Sequence, residues 1–376
     1  MSLAIPFMSL VPGPDGAAVR EAIDRVIARG WFILGPEVDA FEREFADASG
    51  ARFAVGVATG TDALALTLRA LGIGPGDEVI TAPMSAAFSA LAIQMAGATP
   101  VFADLDPERL TMDPRAAEAA IGPRTRALMP VHLYGQPADM PAFESIARRH
   151  HLALVEDACQ AHLATCAGRP VGTFGSAGAV SFYPTKNLGA LGDGGAVITN
   201  DAAVADRLKR LRNGGQAEKY RHVEFGVNSR LDEMQAAILR TRLRSLVKWT
   251  TRRRELAARY RRALSGASAI AVPPECDPGH VYHLFPVLVR EGTSRDAFQD
   301  HLASRGIGTL VHYPIALHQQ EAFRGFASGA FPVAERVARE VCSLPLHPQL
   351  SDSDLEAIAA AVQAWPSADR IGSALE

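Results

Sequence analysis

Along the first two-thirds of the chain, short apolar runs alternate with amphipathic stretches. The runs at 53–58, 78–81, 100–103, 127–132, 153–156, 179–182 and 196–199 are short, and several are continuous and rich in valine and isoleucine. Such runs suit strands that helices cover on both faces. Helical patterns fall between them at 62–71, 86–96, 114–120 and 140–150. The alternation predicts an α/β domain around a mostly parallel sheet. After Asn200 the rhythm changes to a helix at 201–212, a polar loop at 213–226 and a long helix at 231–263. Pro273, Pro274, Pro278 and Gly279 mark a boundary or loop. Beyond them, apolar runs at 284–290 and 309–312 mix with helical patterns at 295–305, 333–342 and 351–365, which predicts a smaller α+β domain. The expected division is a large domain with an N-terminal arm at 1–250 and a small domain at 251–376.

Composition narrows the classes. With 376 residues, 48% of them hydrophobic, the chain can bury a large core. A net charge of −3 gives no basic field for nucleic acid. The arginine-rich stretch at 240–262 reads as a long amphipathic helix with a solvated face. Residues 79–103 carry no charge, and the length is enough to cross a bilayer. Pro83 and Pro100 near its ends and Gly97 within it favour a strand, helix and strand instead. The four cysteines form no C-x-x-C pair, and the proline-broken N-terminus is a poor signal peptide. Reduced thiols in the cytoplasm are the expectation, with no membrane or nucleic-acid partner.

Three segments carry candidate chemistry. At 181–195 (SFYPTKNLGALGDGG) a strand ends, Lys186 follows in a polar turn, and glycines lead into the next strand. Glycines let backbone approach a ligand, and a desolvated lysine amine can attack a carbonyl. The bland alternative is a solvated loop lysine. At 152–160 (LALVEDACQ) a buried strand ends in Glu156 and Asp157, which the period of two sends to opposite faces. A carboxylate at a strand's carboxyl end can pair with a cofactor's pyridinium nitrogen, or it can simply cap the next turn. At 55–64 (VGVATGTDAL) a strand runs into Gly60 and Thr61 before a helix. Free N–H groups and a hydroxyl there suit a phosphate, although N-capping by Thr61 explains the pattern as well. Together the three supply a Schiff-base amine, a pyridinium partner and a phosphate cradle, a conjunction more specific than any part.

Other chemistries fit poorly. The segment GIGPGD at 72–77 follows a helix and does not match the dinucleotide fingerprint, so an NAD-dependent enzyme is not expected. The histidines at 150–151, 280, 283, 312 and 318 lack zinc spacing, and no metal is expected. No G-x-S-x-G elbow occurs.

The chain resembles the sugar aminotransferases of the DegT/DnrJ/EryC1/StrS group. The resemblance rests on segments at 30–37 (GWFILGPE), 60–64 (GTDAL), 76–80 (GDEVI), 130–137 (PVHLYGQP), 156–162 (EDACQAH), 228–237 (NSRLDEMQAA) and 312–314 (HYP), with the Lys186 segment between them. It implies the fold type I of pyridoxal 5'-phosphate (PLP) enzymes, with a mostly parallel seven-stranded sheet and a smaller C-terminal α+β domain. By that resemblance, Lys186 would hold PLP and shuttle protons, Asp157 would face the ring nitrogen, and Gln160 would sit near the ring hydroxyl. Gly60, Thr61 and Ser181 would hold the phosphate, and Asn228 would reach the cofactor of a second copy, making a homodimer with shared sites. His312 and Tyr313 would line the sugar-nucleotide side. The implied reaction moves an amino group, with glutamate as donor, to a nucleotide-linked keto-sugar of the 3- or 4-keto-6-deoxy type. Alternatives on the same scaffold are a cyclitol-ketone aminotransferase or a non-catalytic PLP-binding regulator; the related dehydratases carry histidine where Lys186 stands. One departure is Ala86, at a place where the family often stacks an aromatic ring on the cofactor. Leu163 and Cys166 also replace the family's more usual glycine and tyrosine.

Overall fold

The computed structural model of the protein describes residues 4–290, 294–326 and 329–366. The outer ends of the expected domain bounds, 1–3 and 367–376, lie outside the described residues. The main sheet has seven strands: β1 (Phe53–Val57), β2 (Glu78–Thr81), β3 (Thr99–Phe102), β4 (Thr125–Met129), β5 (Ala153–Asp157), β6 (Ala177–Ser181) and β7 (Gly195–Thr199). Their spatial order is β1-β7-β6-β5-β4-β2-β3. All neighbours are parallel except β7, which runs antiparallel to both β1 and β6.

Both faces of the sheet are buried, which explains the continuous apolar runs. Successive strand residues go to opposite cores: Ile80, Leu128, Leu154, Val180 and Ile198 join one, and Val79, Ala127, Val155, Ala179 and Val197 join the other. The helices between strands close these cores: α3 (Gly60–Ala70), α4 (Phe88–Met95), α5 (Pro114–Ala119), α6 (Met140–His150) and α7 (Ala202–Leu211). Leu64, Leu66 and Leu68 of α3 are nearly inaccessible.

The long helix α8 (Glu233–Ala263) runs without a break past residue 250. Its first half packs Ala236, Leu239 and Leu246 into the core around the sheet. Its second half sends Leu256, Ala257 and Tyr260 into a separate cluster. That cluster also covers a three-stranded antiparallel sheet, β8 (Ile270–Ala271), β9 (Phe285–Val289) and β10 (Val341–Leu344), flanked by α9 (Arg295–Ala303), α10 (Pro332–Glu340) and α11 (Asp352–Gln363).

The structure departs from the pattern in several places. Residues 309–312 form only one isolated bridge, Leu310 with Ser343, and no strand. The helix expected at 333–342 stops at Glu340, because Val341 and Cys342 pair with Leu288 and Val287 in a fully buried strand. The polar loop at 213–226 contains a short hairpin, Gln216–Glu218 against Arg221–His222. Helices α1 (Gly16–Arg29) and α2 (Pro36–Ala48) lie outside the predicted elements.

Candidate active site

Strand direction gathers the candidates at one edge. Gly195, the first residue of β7, stands opposite both Val57 at the end of β1 and Ser181 at the end of β6. Asp157 ends β5 and is paired with Ala179, two residues before Ser181. The β1–α3 turn, Ser181 and Asp157 therefore share the carboxyl edge of the sheet, where ligands of open α/β folds bind.

The β1–α3 turn is packed against Ser181 and Cys159. A Cβ on Gly60 would lie 2.7 Å from the Ser181 Cβ and 2.9 Å from the Cys159 Sγ. A Cβ on Gly195 would collide with the Thr59 backbone at 2.4 Å. Thr59, not Thr61, caps α3: its hydroxyl accepts from the Asp62 N–H at 3.0 Å. The capping reading of Thr61 is thus corrected, and the Thr61 side chain is left for other partners. Ser229 ties this turn down, donating to Asp62 Oδ2 at 2.6 Å and accepting from Ala58 N–H at 3.0 Å. Its neighbour Asn228 is exposed, with its backbone bridged to Asn213.

The two acids of β5 separate as the strand period requires. Glu156 is fully buried and structural: it accepts from Gly172, Phe174 and Gly175 N–H groups at 2.7, 2.7 and 3.1 Å, and from His132 Nε2 at 3.3 Å. Asp157, 4% exposed, accepts from the Ser89 hydroxyl at 2.7 Å and from Cys159 N–H at 3.1 Å. Gln160 accepts from Tyr134 N–H at 2.6 Å and donates to the Tyr313 hydroxyl at 3.2 Å. The Tyr134 hydroxyl in turn donates to the His312 carbonyl at 2.5 Å, and His312 Nδ1 lies 2.9 Å from Ser343 Oγ. The structure thus brings Gln160 and Tyr313 together and sets His312 beside them.

Lys186 sits in a tight loop beyond β6. A Cβ on Gly189 would lie 2.4 Å from the Pro184 carbonyl oxygen, so only glycine closes that loop. Asn187 anchors it, donating to the Val281 carbonyl at 3.1 Å and meeting His283 Nδ1 at 3.2 Å. No hydrogen bond or ion pair engages the Lys186 amine among the described residues. Burial lowers its pKa below the usual lysine value, and the nearby Asp157 and Cys159 pull the other way. Burial also holds the Cys159 thiol well above its ordinary pKa, with Asp157 adding to the effect. His162 is pushed down to about 3 by burial, so it is neutral; its Nε2–H donates to the Ser181 carbonyl at 2.8 Å. Burial raises the Tyr313 phenol to about 12.

Several contributors carry no local motif of their own. Ser89 and Ser85 lie in and just before α4, among residues that read only as a helix. Tyr134 and His162 stand inside segments that carry the family resemblance, yet their contacts become visible only in three dimensions. Ala86 is half-buried in the turn before α4, Met84 is buried in the core, and Phe88 is 59% exposed. An open pocket lined by Phe7, Met8, Leu284, Leu310, His283 and His312 adjoins Thr185, next to Lys186.

The DegT/DnrJ/EryC1/StrS aminotransferase family matches residues 15–363. The chain belongs to that family. It is 48% identical to the dTDP-3-amino-3,4,6-trideoxy-alpha-D-glucose transaminase of Streptomyces venezuelae, over 98% of each chain. Its structure matches that of S. venezuelae DesV in complex with a ketimine intermediate, with a TM-score of 0.92 and 48% identity over 97% of this chain and 99% of the other. A second solved relative is Bacillus subtilis NtdA with bound cofactor PMP, at a TM-score of 0.90 and 31% identity over 96% of this chain and 85% of the other. The fold is thus that of the PLP-dependent aminotransferases. No helix among the described residues is long and apolar enough to cross a membrane. The uncharged stretch at 79–103 is instead β2, α4 and β3.

Proposed function

We propose that this protein transfers an amino group from glutamate to a nucleotide-linked keto-sugar of the 3- or 4-keto-6-deoxy type, with PLP held by Lys186. One arrangement carries the reading: the Lys186 amine, which no hydrogen bond or ion pair engages among the described residues and whose pKa burial lowers, follows β6, whose parallel neighbour β5 ends in Asp157. The 48% identity to a transaminase acting on a dTDP-linked sugar supports the substrate class.

The residues present fit the cofactor. Only glycine at position 60 lets the β1–α3 turn pack this closely against Ser181 and Cys159, which sets the turn's backbone N–H groups beside Ser181 and suits a phosphate held by Gly60, Thr61 and Ser181. Asp157 is an acceptor at the sheet edge for a ring nitrogen, and Gln160 would sit beside the ring hydroxyl. Ala86 would border one ring face. Asn228, exposed, would reach the phosphate site of a second copy. Exposed Trp31, Phe32 and Ile33 support a homodimer, since neighbouring apolar residues on the surface favour a partner. His312 and Tyr313, near the pocket beside Thr185, would line the sugar-nucleotide side. Four free cysteines support a cytoplasmic setting. The division into a cofactor-binding part at 1–250 and a smaller part at 251–376 belongs to the same reading, with α8 passing between their cores.

When bound, the cofactor supplies an aldehyde that captures amines and a ring that accepts electrons from the carbon beside the nitrogen. The chain supplies proton control. Neutral Lys186 Nζ takes a proton from the substrate carbon and returns it on the other side of the amine exchange. Burial favours that neutral form. Buried, neutral His162 adds no competing charge beside Ser181.

A panel of keto-sugar nucleotides and cyclitol ketones, with glutamate as donor, tests the substrate class; exclusive amination of cyclitols would replace it. Lys186→Ala is expected to abolish turnover and the visible absorbance of the bound cofactor. Retained transamination in that variant rules out the assigned role.

A further inference from the structure

Asp157 is the carboxylate assigned to the ring nitrogen, and the role inferred for its serine neighbours rests on that assignment. Each of its oxygens has one N–H or O–H donor. Cys159 N–H serves Oδ1 at 3.1 Å from the same chain turn. The Ser89 hydroxyl serves Oδ2 at 2.7 Å from α4, 68 residues earlier in sequence. Ser89 is 2% exposed, and its oxygen lies 2.8 Å from the Ser85 hydroxyl, itself 2% exposed. Ser85 also donates to the Ala86 carbonyl at 2.7 Å.

Proton counting gives the contacts a direction. An ionised carboxylate only accepts, so the single Ser89 proton goes to Asp157. The contact between the two hydroxyls then has Ser85 as donor, with its proton shared between Ser89 and the Ala86 carbonyl. Donors thus run from Ser85 to Ser89 to Asp157. A buried hydroxyl at each step keeps water out of the chain, and in a low-dielectric setting such linked bonds strengthen one another.

We propose that Ser85 and Ser89 form a positioning relay that fixes the Asp157 carboxylate toward the cofactor's ring nitrogen. The same two hydroxyls tie the turn carrying Ala86 to that carboxylate. Ala86 adds only a methyl group to this turn, so the hold on the ring leans on its nitrogen edge. Lys186, Cys159 and Tyr313 are the titratable groups that share Asp157's surroundings. Of these, the Cys159 thiol is kept protonated by burial, and it donates to the Ala179 carbonyl at 3.7 Å. A thiol is a weak donor, so the Ser89 hydroxyl remains the stronger side-chain hold.

The test compares Ser89→Ala, Ser89→Thr, Ser85→Ala and Asp157→Asn as purified holoenzymes. Three quantities are read: the dissociation constant for PLP, the pH midpoint of the cofactor's visible absorbance, and the thermal midpoint after the cofactor is removed. Losing one buried hydrogen bond to a charged group predicts a loss of PLP affinity of roughly tenfold for Ser89→Ala. The absorbance midpoint should move upward, because a loosened carboxylate holds the ring proton less firmly and the attached nitrogen becomes more basic. Ser89→Thr keeps the hydroxyl and should restore both values. Ser85→Ala should shift them in the same direction by less. The relay is overturned if Ser89→Ala changes only the thermal midpoint, or nothing, while Asp157→Asn loses the cofactor; the assignment of Asp157 then stands. If Asp157→Asn itself binds PLP as the parent does, with an unmoved midpoint, the assignment fails and the relay with it. Should Ser89→Ala not fold, the upward shift in Ser85→Ala and its absence in Ser89→Thr decide the matter.

Discussion

Single residues at the sheet edge owe their roles to what their neighbours leave them. Lys186 is one of many lysines and arginines in the chain, but it alone combines burial, a missing counter-ion and the nearby Asp157 carboxylate and Cys159 thiol among the described residues. Glu156 and Asp157 are adjacent and chemically alike. One is consumed by three backbone N–H groups and His132, and the other accepts from Ser89 and Cys159 N–H at the carboxyl edge of the sheet. Gly60 shows the same dependence. Its missing side chain matters only because Ser181 and Cys159 press against it, where a Cβ would clash. Gly60→Ala should therefore weaken PLP binding by about tenfold or more, the equivalent of about 1.4 kcal/mol. Titration of the cofactor-free protein measures this; an unchanged dissociation constant would remove Gly60 from the phosphate cradle.

Among the helices and strands, junctions matter more than interiors. The start of α2 is held from α8: Glu233 Oε1 accepts from Gly35 and Val38 N–H groups at 2.9 and 2.8 Å, and Oε2 from Glu37 N–H at 2.9 Å. A carboxylate here satisfies three donors that the first turn of a helix leaves free. Glu233→Gln would turn an N–H₂ toward one of them and should cost about 2 kcal/mol, read as a lower urea midpoint with an unchanged slope. The strand interiors of the main sheet are legible in sequence because both faces are buried and the runs are apolar. Helices α1 and α2 carry helical spacing too, with Val19, Ala22 and Val26 buried in one and Val38, Phe41 and Phe45 in the other, but they precede the strand–helix alternation. The end of α10 escapes the pattern for a different reason. Val341 and Cys342 continue the helical spacing, but pairing with β9 gives them more burial and a ladder of hydrogen bonds. The β1–α3 turn and the strand end at Asp157 are legible as motifs. The serine pair at α4 is not, since small polar residues in a helical run carry no signal of the carboxylate they will meet.

Across the molecule, buried neutral histidines set the response to acid. Burial pushes His162 and His280 down to about 3, and His312 to about 4, from an ordinary value of 6.5. The unfolded chain then binds protons at a higher pH than the folded one. Their contribution is complete well above pH 6.5 and is lost as pH falls toward 4 for His312 and toward 3 for His162 and His280, by about 1.4 kcal/mol per pH unit for each histidine. Urea midpoints should therefore fall between pH 7 and pH 5, and His162→Gln should make the decline shallower. A flat profile over that range would contradict neutral burial. Periodicity and short motifs were enough to specify the α/β architecture, the seven strand interiors and the resemblance to sugar aminotransferases, because each of these is written in residues close together along the chain. Three-dimensional packing alone settles which groups consume Glu156, which threonine caps α3, how the lysine loop is closed and which hydroxyls reach Asp157. Most of those facts depend on contacts between residues tens to hundreds of positions apart, and no local pattern encodes the distance between two side chains that meet only after the chain has folded.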